Sequence, residues 1–108
     1  MTRKEALAEL IAKVEVGIWL PDVLAKLPDI HTDLTWKAYQ GSLDAAKALH
    51  EAVLPRCEWG CGFDEDEGFG AGVTSGGREF VIHGGATSPA RAWLLAILRA
   101  LHSMEPDT

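Results

Sequence analysis

The sequence predicts a single α+β domain in which an antiparallel three-stranded sheet, a β-meander, is flanked by helices. Three observations predict this fold: helical spacing of apolar residues near both ends of the chain, three consecutive segments of alternating apolar residues, and short turn sequences between those segments. The chain has 108 residues, the usual size of one domain, so residues 1–108 are assigned to one core. The expected order is helix, short helix, helix, three strands, helix.

The first helix is predicted over residues 2–14, where apolar residues recur on one face of a helix. The stripe consists of Ala6, Leu7, Leu10, Ile11 and Val14. A second clear helix is predicted to begin after Ser42, whose hydroxyl suits the N-cap position, and to end at Pro55.

Residues 20–41, between these helices, are predicted to be irregular apart from one short helix. Pro21 suits the first position of that helix and Pro28 ends it. Residues 29–35 are expected to form a loop, which Trp36 and Tyr39 anchor to the core.

The strands are predicted within residues 56–83. Alternation in these segments places the large apolar residues on one face, namely Trp59, Phe63, Phe69 and Phe80. Tight turns at residues 64–68 and 75–77 imply antiparallel pairing. The large-residue face is expected to point at the helices that start near Ser42 and Ser88.

The last helix is predicted to begin at Pro89, with Ser88 as its N-cap. Its apolar residues cover almost every face, which is typical of a helix that is largely buried. Trp93 is the largest of them.

The charge of the chain bears on its partners. A formal net charge of −6 disfavours direct nucleic-acid binding, which depends on Lys and Arg meeting phosphates, and it disfavours docking on anionic lipid. Acidic residues interrupt residues 1–20, so we expect no signal peptide, and residues 92–101 are too short to span a bilayer. We therefore expect a cytoplasmic protein without membrane contact.

Cys57 and Cys61 are the obvious candidates for metal or redox chemistry, with His50, His83 and His102 as conceivable further ligands. On one strand, however, four residues separate the two cysteines by about 13 Å, too far for a disulfide or a shared zinc ion. We expect two reduced core cysteines and no metal or cofactor. No family signature of a nucleophile surrounds either cysteine, so no enzymatic activity is expected.

The acidic run Asp64, Glu65, Asp66 and Glu67 forms the first turn of the predicted meander. It lacks the ligand spacing and the central glycine of a calcium-binding loop. Two interpretations stay open, a solvated turn and an electrostatic contact for a basic partner.

Glycines occupy the strand face opposite the aromatic residues, at Gly60, Gly62, Gly70 and Gly72. A face without side chains permits close approach of another element. We expect the N-terminal helix to pack there; the alternative is a shallow groove for a ligand or a second chain, including a homodimer partner.

The start of the last helix is a candidate anion site because free backbone N–H groups and the helix dipole favour negative charge there. The residues concerned are Gly84, Gly85, Thr87, Ser88 and Arg91. A routinely capped helix is the competing interpretation.

The chain resembles the phage and prophage proteins grouped as the phage ABA-sandwich domain family. The resemblance lies in residues 9–13 (ELIAK) running into 16–19 (VGIW), 39–46 (YQGSLDAA), the strand of Trp59, and 86–92 (ATSPARA) leading into 96–101 (AILRAL). It implies a sheet layered between helices and a viral setting, and it implies no catalytic residues.

Two functions follow as hypotheses. The first is a non-catalytic phage accessory protein that neutralises a host defence protein by direct contact, as anti-CRISPR proteins do. The second is a protein that binds or sequesters a small molecule, such as a nucleotide signal, in the region from Gly84 to Arg91.

Overall fold

The computed structural model describes residues 2–19, 21–66, 68–75, 77–86 and 88–105, without the side chains of residues 28, 64, 75 and 81–86. The order of elements is α1 (Arg3–Glu15), α2 (Pro21–Leu24), a 3-10 turn (Pro28–Ile30), α3 (Thr32–Tyr39), α4 (Leu43–Val53), β1 (Glu58–Asp64), β2 (Gly68–Ser75), β3 (Arg78–Ala86) and α5 (Pro89–Met104). The predicted α+β class and the three-stranded antiparallel meander are confirmed. None of the helices in these ranges is long and apolar enough to cross a membrane.

Side-chain caps begin the three longest helices. The hydroxyl oxygens of Thr2, Ser42 and Ser88 each accept a hydrogen bond from the backbone N–H three residues later, at 3.1 Å. Each cap satisfies one of the N–H groups that the first helical turn leaves without a partner. The predicted caps at Ser42 and Ser88 are therefore confirmed.

The segment before α4 differs from the expected loop. The short helix at Pro21 is present, but residues 29–35 contain the end of the 3-10 turn and the start of α3. His31 makes the bend between them with a positive φ of 54°. The buried hydroxyl of Thr35 donates to the carbonyl oxygen of Ile30 at 2.8 Å, which ties the new helix to the turn. The loop prediction was wrong because burial of Leu27 and Ile30 organises a segment that has weak local helical signals.

The sheet has the strand order β1-β2-β3. Trp59 pairs with Val73, which pairs with Phe80, so these three residues share one face of the sheet. Regular pairing between β1 and β2 extends to Asp64 and Gly68, while β2 and β3 change register between Phe69 and Ala71.

Helix α5 forms the centre of the core. It packs against all three strands, mainly β2 and β3, and its other sides contact α1, α3 and α4. Residues from Ala90 to Ala100 are buried almost without interruption, which confirms the prediction of a largely buried last helix. The molecule is thus layered as sheet, α5, and remaining helices.

The large-residue face of the sheet points at α5, as predicted, whereas α4, the other helix expected there, packs mainly against α3 and α5. The Trp59 ring stacks on the Trp93 ring with centroids 4.1 Å apart, and Ala71 and Val73 are buried beside them.

The opposite, glycine-bearing face of the sheet is not covered by the N-terminal helix, which contradicts our expectation. Helix α1 packs against α2 and α5, and a Cβ built on Gly60 or Gly62 meets no atom within 4 Å. The glycine face is open at these positions because α1 buries its apolar stripe on α5.

His50 joins α4, α5 and the start of the sheet. Its Nε2 lies 2.9 Å from the carbonyl oxygen of Cys57, and its Nδ1 lies 3.2 Å from the indole Nε1 of Trp93. A carbonyl only accepts and an indole N–H only donates, so the ring is neutral with its proton on Nε2. Trp93 is thereby held by hydrogen bonding as well as by stacking.

Replacing Trp93 by Ala is expected to lower the free energy of unfolding by roughly 3–5 kcal/mol, because the change removes a large side chain from a close-packed core. Urea denaturation followed by circular dichroism measures the loss. Met104→Ala, at the exposed end of the same helix, is the control and is expected to change stability little. Equal stability of Trp93→Ala and the wild type would contradict the central role of α5.

Candidate functional site

The acidic turn lies at the tip of the β1–β2 hairpin. Asp64 ends β1 and Gly68 begins β2, with Glu65 and Asp66 exposed between them. Gly68 adopts a positive φ of 88°, a conformation that glycine tolerates best. The side chain of Asp64 and the whole of Glu67 lie outside the described residues. The turn therefore presents at least the carboxylates of Glu65 and Asp66 to solvent.

Phe63 and Phe69 lie next to this turn, and Trp59 lies on the same face toward the other end of β1. Phe63 is 65% exposed and Trp59 is 46% exposed, although both occupy the helix-facing side of the sheet. The rings of Phe63 and Phe69 contact each other with centroids 5.1 Å apart. Because α5 packs mainly on β2 and β3, the outer part of β1 extends beyond its cover. The expectation that α5 and α4 cover Phe63 was therefore wrong.

We call this region the hairpin surface; it comprises Trp59, Cys61, Phe63, Phe69, Glu65 and Asp66. It combines large exposed apolar side chains with carboxylates at one end, an arrangement typical of protein contact surfaces. Alternation in the sequence identified the face correctly. The sequence contained no signal that helix α5 leaves the outer part of β1 uncovered.

The two cysteines occupy different environments. Cys57 precedes β1 and packs partly buried against the core, whereas Cys61 is exposed on the hairpin surface. The expectation of a core position was thus wrong for Cys61. Partial burial raises the pKa of the Cys61 thiol above its ordinary value. Within the described ranges, His, Cys, Asp and Glu residues form no group of three or more that could hold a metal ion.

The start of α5 uses its polar groups inside the fold. Ser88 caps the helix, and the guanidinium of Arg91 donates from two nitrogens to the carbonyl oxygen of Tyr39 at 2.9 and 3.1 Å. The same guanidinium lies over the Tyr39 ring, 4.1 Å from its centroid. Of the other candidate anion ligands, Gly84 and Gly85 belong to β3, and Thr87 lies outside the described residues. Arg91 therefore binds the end of α3.

Tyr39 also belongs to an aromatic cluster that fastens the helical segment before α4. The rings of Trp19 and Trp36 lie 4.8 Å apart, and both contact the Tyr39 ring. These contacts agree with the predicted anchoring by Trp36 and Tyr39, on a helix instead of a loop. The cluster holds the loop after α1 against α3.

Comparison of the chain with protein-family models, curated proteins and solved structures found no match. The argument for the location of a binding site therefore rests on the surface of the molecule.

The raised pKa of Cys61 predicts slow alkylation at neutral pH. A thiol with a raised pKa has less thiolate at a given pH, and the thiolate is the reactive form. In a Cys57→Ser background, the rate of reaction with iodoacetamide is expected to reach half its maximum at higher pH in the folded protein than in urea. Mass spectrometry of the labelled protein measures the rate. A folded-state midpoint at or below the urea midpoint would contradict the effect of burial.

Proposed function

We propose that this protein acts by binding another protein through the hairpin surface, without turnover of a substrate. One observation carries the proposal: Phe63 is large, exposed and next to an exposed acidic turn, and the exposed ring of Trp59 lies on the same face of β1 toward its other end. Burial of such aromatic side chains in a partner's pocket supplies most of the binding energy in many interfaces. The carboxylates add attraction toward a basic surface and raise the association rate.

The nature of the partner is proposed from the sequence resemblance. The resemblance of short stretches of the sequence to the phage ABA-sandwich domain family is the basis for proposing a phage accessory protein whose partner is a host defence protein. A net charge of −6 is compatible with occupation of a basic groove on such a partner. In this proposal the protein inhibits by covering a surface.

Binding of a nucleotide signal at the start of α5 receives less support. Arg91 is the basic residue proposed for that site, and its guanidinium already binds the Tyr39 carbonyl and covers the Tyr39 ring. A phosphate ligand there would compete with these contacts. The observations therefore favour the hairpin surface.

Replacing Phe63 by Ser is expected to weaken binding to a host protein about tenfold or more, since truncation of an aromatic anchor has effects of this size. The partner is isolated from host lysate with the wild-type protein, identified by mass spectrometry and produced pure, and affinities are measured by calorimetry. Val16→Ser is the matched control, because Val16 is equally exposed, at 68%, but lies after α1. Loss of affinity in both variants, or in neither, would contradict the proposed surface.

Neutralising the acidic turn is expected to weaken binding at low salt and to flatten its salt dependence. The variant combines Asp64→Asn, Glu65→Gln, Asp66→Asn and Glu67→Gln. Exposed charges are screened over about 8–10 Å at ordinary ionic strength, so the contribution of the turn shrinks as salt is added. Association rates with the purified partner at several salt concentrations provide the measurement. Unchanged affinity and unchanged salt dependence would remove the turn from the mechanism.

A further inference from the structure

Strand β1 is an edge strand whose outer side is open. The sheet order is β1-β2-β3, and in the described part of the chain no other strand pairs with β1. Every residue from 58 to 63 is exposed, whereas Ala71 and Val73 of the neighbouring strand are buried. An open edge presents a row of backbone N–H and C=O groups that another extended chain can pair with.

This edge lacks the features with which proteins usually protect edge strands. Those features are short length, charged residues or proline within the strand, and bulges. Strand β1 has seven residues, and its charged residues, Glu58 and Asp64, stand at its two ends. Its pairing with β2 is regular throughout, and the register shift lies between β2 and β3. The edge is therefore long, free of bulges against β2 and uncharged along its middle.

We propose that β1 receives an extended segment of another protein as a fourth strand, and that this segment carries Lys or Arg where it reaches the acidic turn. The inference rests on the proposed function and adds to it the binding mode and the partner's chemistry. Backbone hydrogen bonds supply affinity in this mode, while alternate side chains supply specificity.

The two faces of β1 define which side chains suit the added strand. Trp59, Cys61 and Phe63 project on the helix-facing side, where alternate apolar residues of the segment gain contact with exposed rings. Gly60 and Gly62 alternate with them and leave the other face open, so side chains of varied size fit there. The segment is thus expected to alternate apolar and unconstrained residues.

Charge favours a basic segment over a second copy of this chain. The acidic turn has four carboxylate residues in succession, and Glu65 and Asp66 are exposed. A second copy brings the same turn and the same net charge of −6. A lysine or arginine at the end of an added strand instead meets opposite charge, which fixes the direction of pairing.

The first experiment uses synthetic peptides and the full chain. The probe is a seven-residue peptide, the length of β1, that alternates valine and threonine and ends in lysines. One control peptide is methylated on alternate backbone nitrogens, which removes ladder donors and keeps the side chains. The other replaces lysine by glutamate. Calorimetry gives affinities, and amide exchange by NMR reports on β1.

We expect the lysine peptide to bind about tenfold or more tightly than either control and to slow exchange of alternate β1 amides, those that face away from β2. Glu65→Lys is expected to weaken binding of the lysine peptide about two- to fivefold and to strengthen binding of the glutamate peptide. Asp33→Lys is the matched control, since Asp33 is exposed on α3, whose main contacts are with other helices. It is expected to leave both affinities nearly unchanged.

Equal binding of the methylated peptide, unchanged β1 exchange, or no binding of the lysine peptide would overturn strand addition. A concentration-dependent dimer that protects the β1 amides would overturn it in favour of a second copy. These failures are distinguishable from failure of the proposed function. The Phe63→Ser variant tests whether the exposed aromatic surface binds the purified host partner. A loss of affinity in that variant supports the proposed function whether or not the partner adds a strand to β1.

Discussion

The burial of helix α5 is the constraint on which the rest of the structure depends. Nine of its residues are buried, spread over its whole circumference, so it needs cover on every side. The sheet supplies one side, and α1, α3 and α4 supply the others. In a chain of this size one central helix is sufficient for a core, and the sheet, α1, α3 and α4 all contact that helix.

The exposed surfaces follow from the same constraint. A single helix covers a sheet incompletely, and α5 packs mainly on β2 and β3. Strand β1 is consequently left at the margin, with Phe63 and Trp59 partly in solvent. Helices α1, α3 and α4 pack against α5 on the side away from the sheet, so Gly60 and Gly62 on the opposite face of the sheet stay open. The aromatic residues, the acidic turn and the open edge therefore meet on one hairpin.

Polar residues that suggest chemistry in the sequence hold the fold together in the structure. His50 is 2% exposed and links Trp93 to the backbone at Cys57. Arg91 donates two hydrogen bonds to the Tyr39 carbonyl at the end of α3. Both satisfy buried groups that would otherwise be left without partners, at considerable cost in stability. A residue type alone does not distinguish such a role from ligand binding.

The sequence by itself determined the order of the elements other than α3 and the 3-10 turn, the caps at Ser42 and Ser88, the antiparallel meander and the burial of α5. These features depend on local spacing, on hydroxyl groups at helix starts and on short turns, all of which act over a few residues. Tertiary structure alone decided that α3 forms, that β1 extends beyond α5 and that the glycine face is open. Each depends on which surfaces meet, and neighbours distant along the chain control that choice. The composition of the candidate site was therefore readable from the sequence, while its exposure was not.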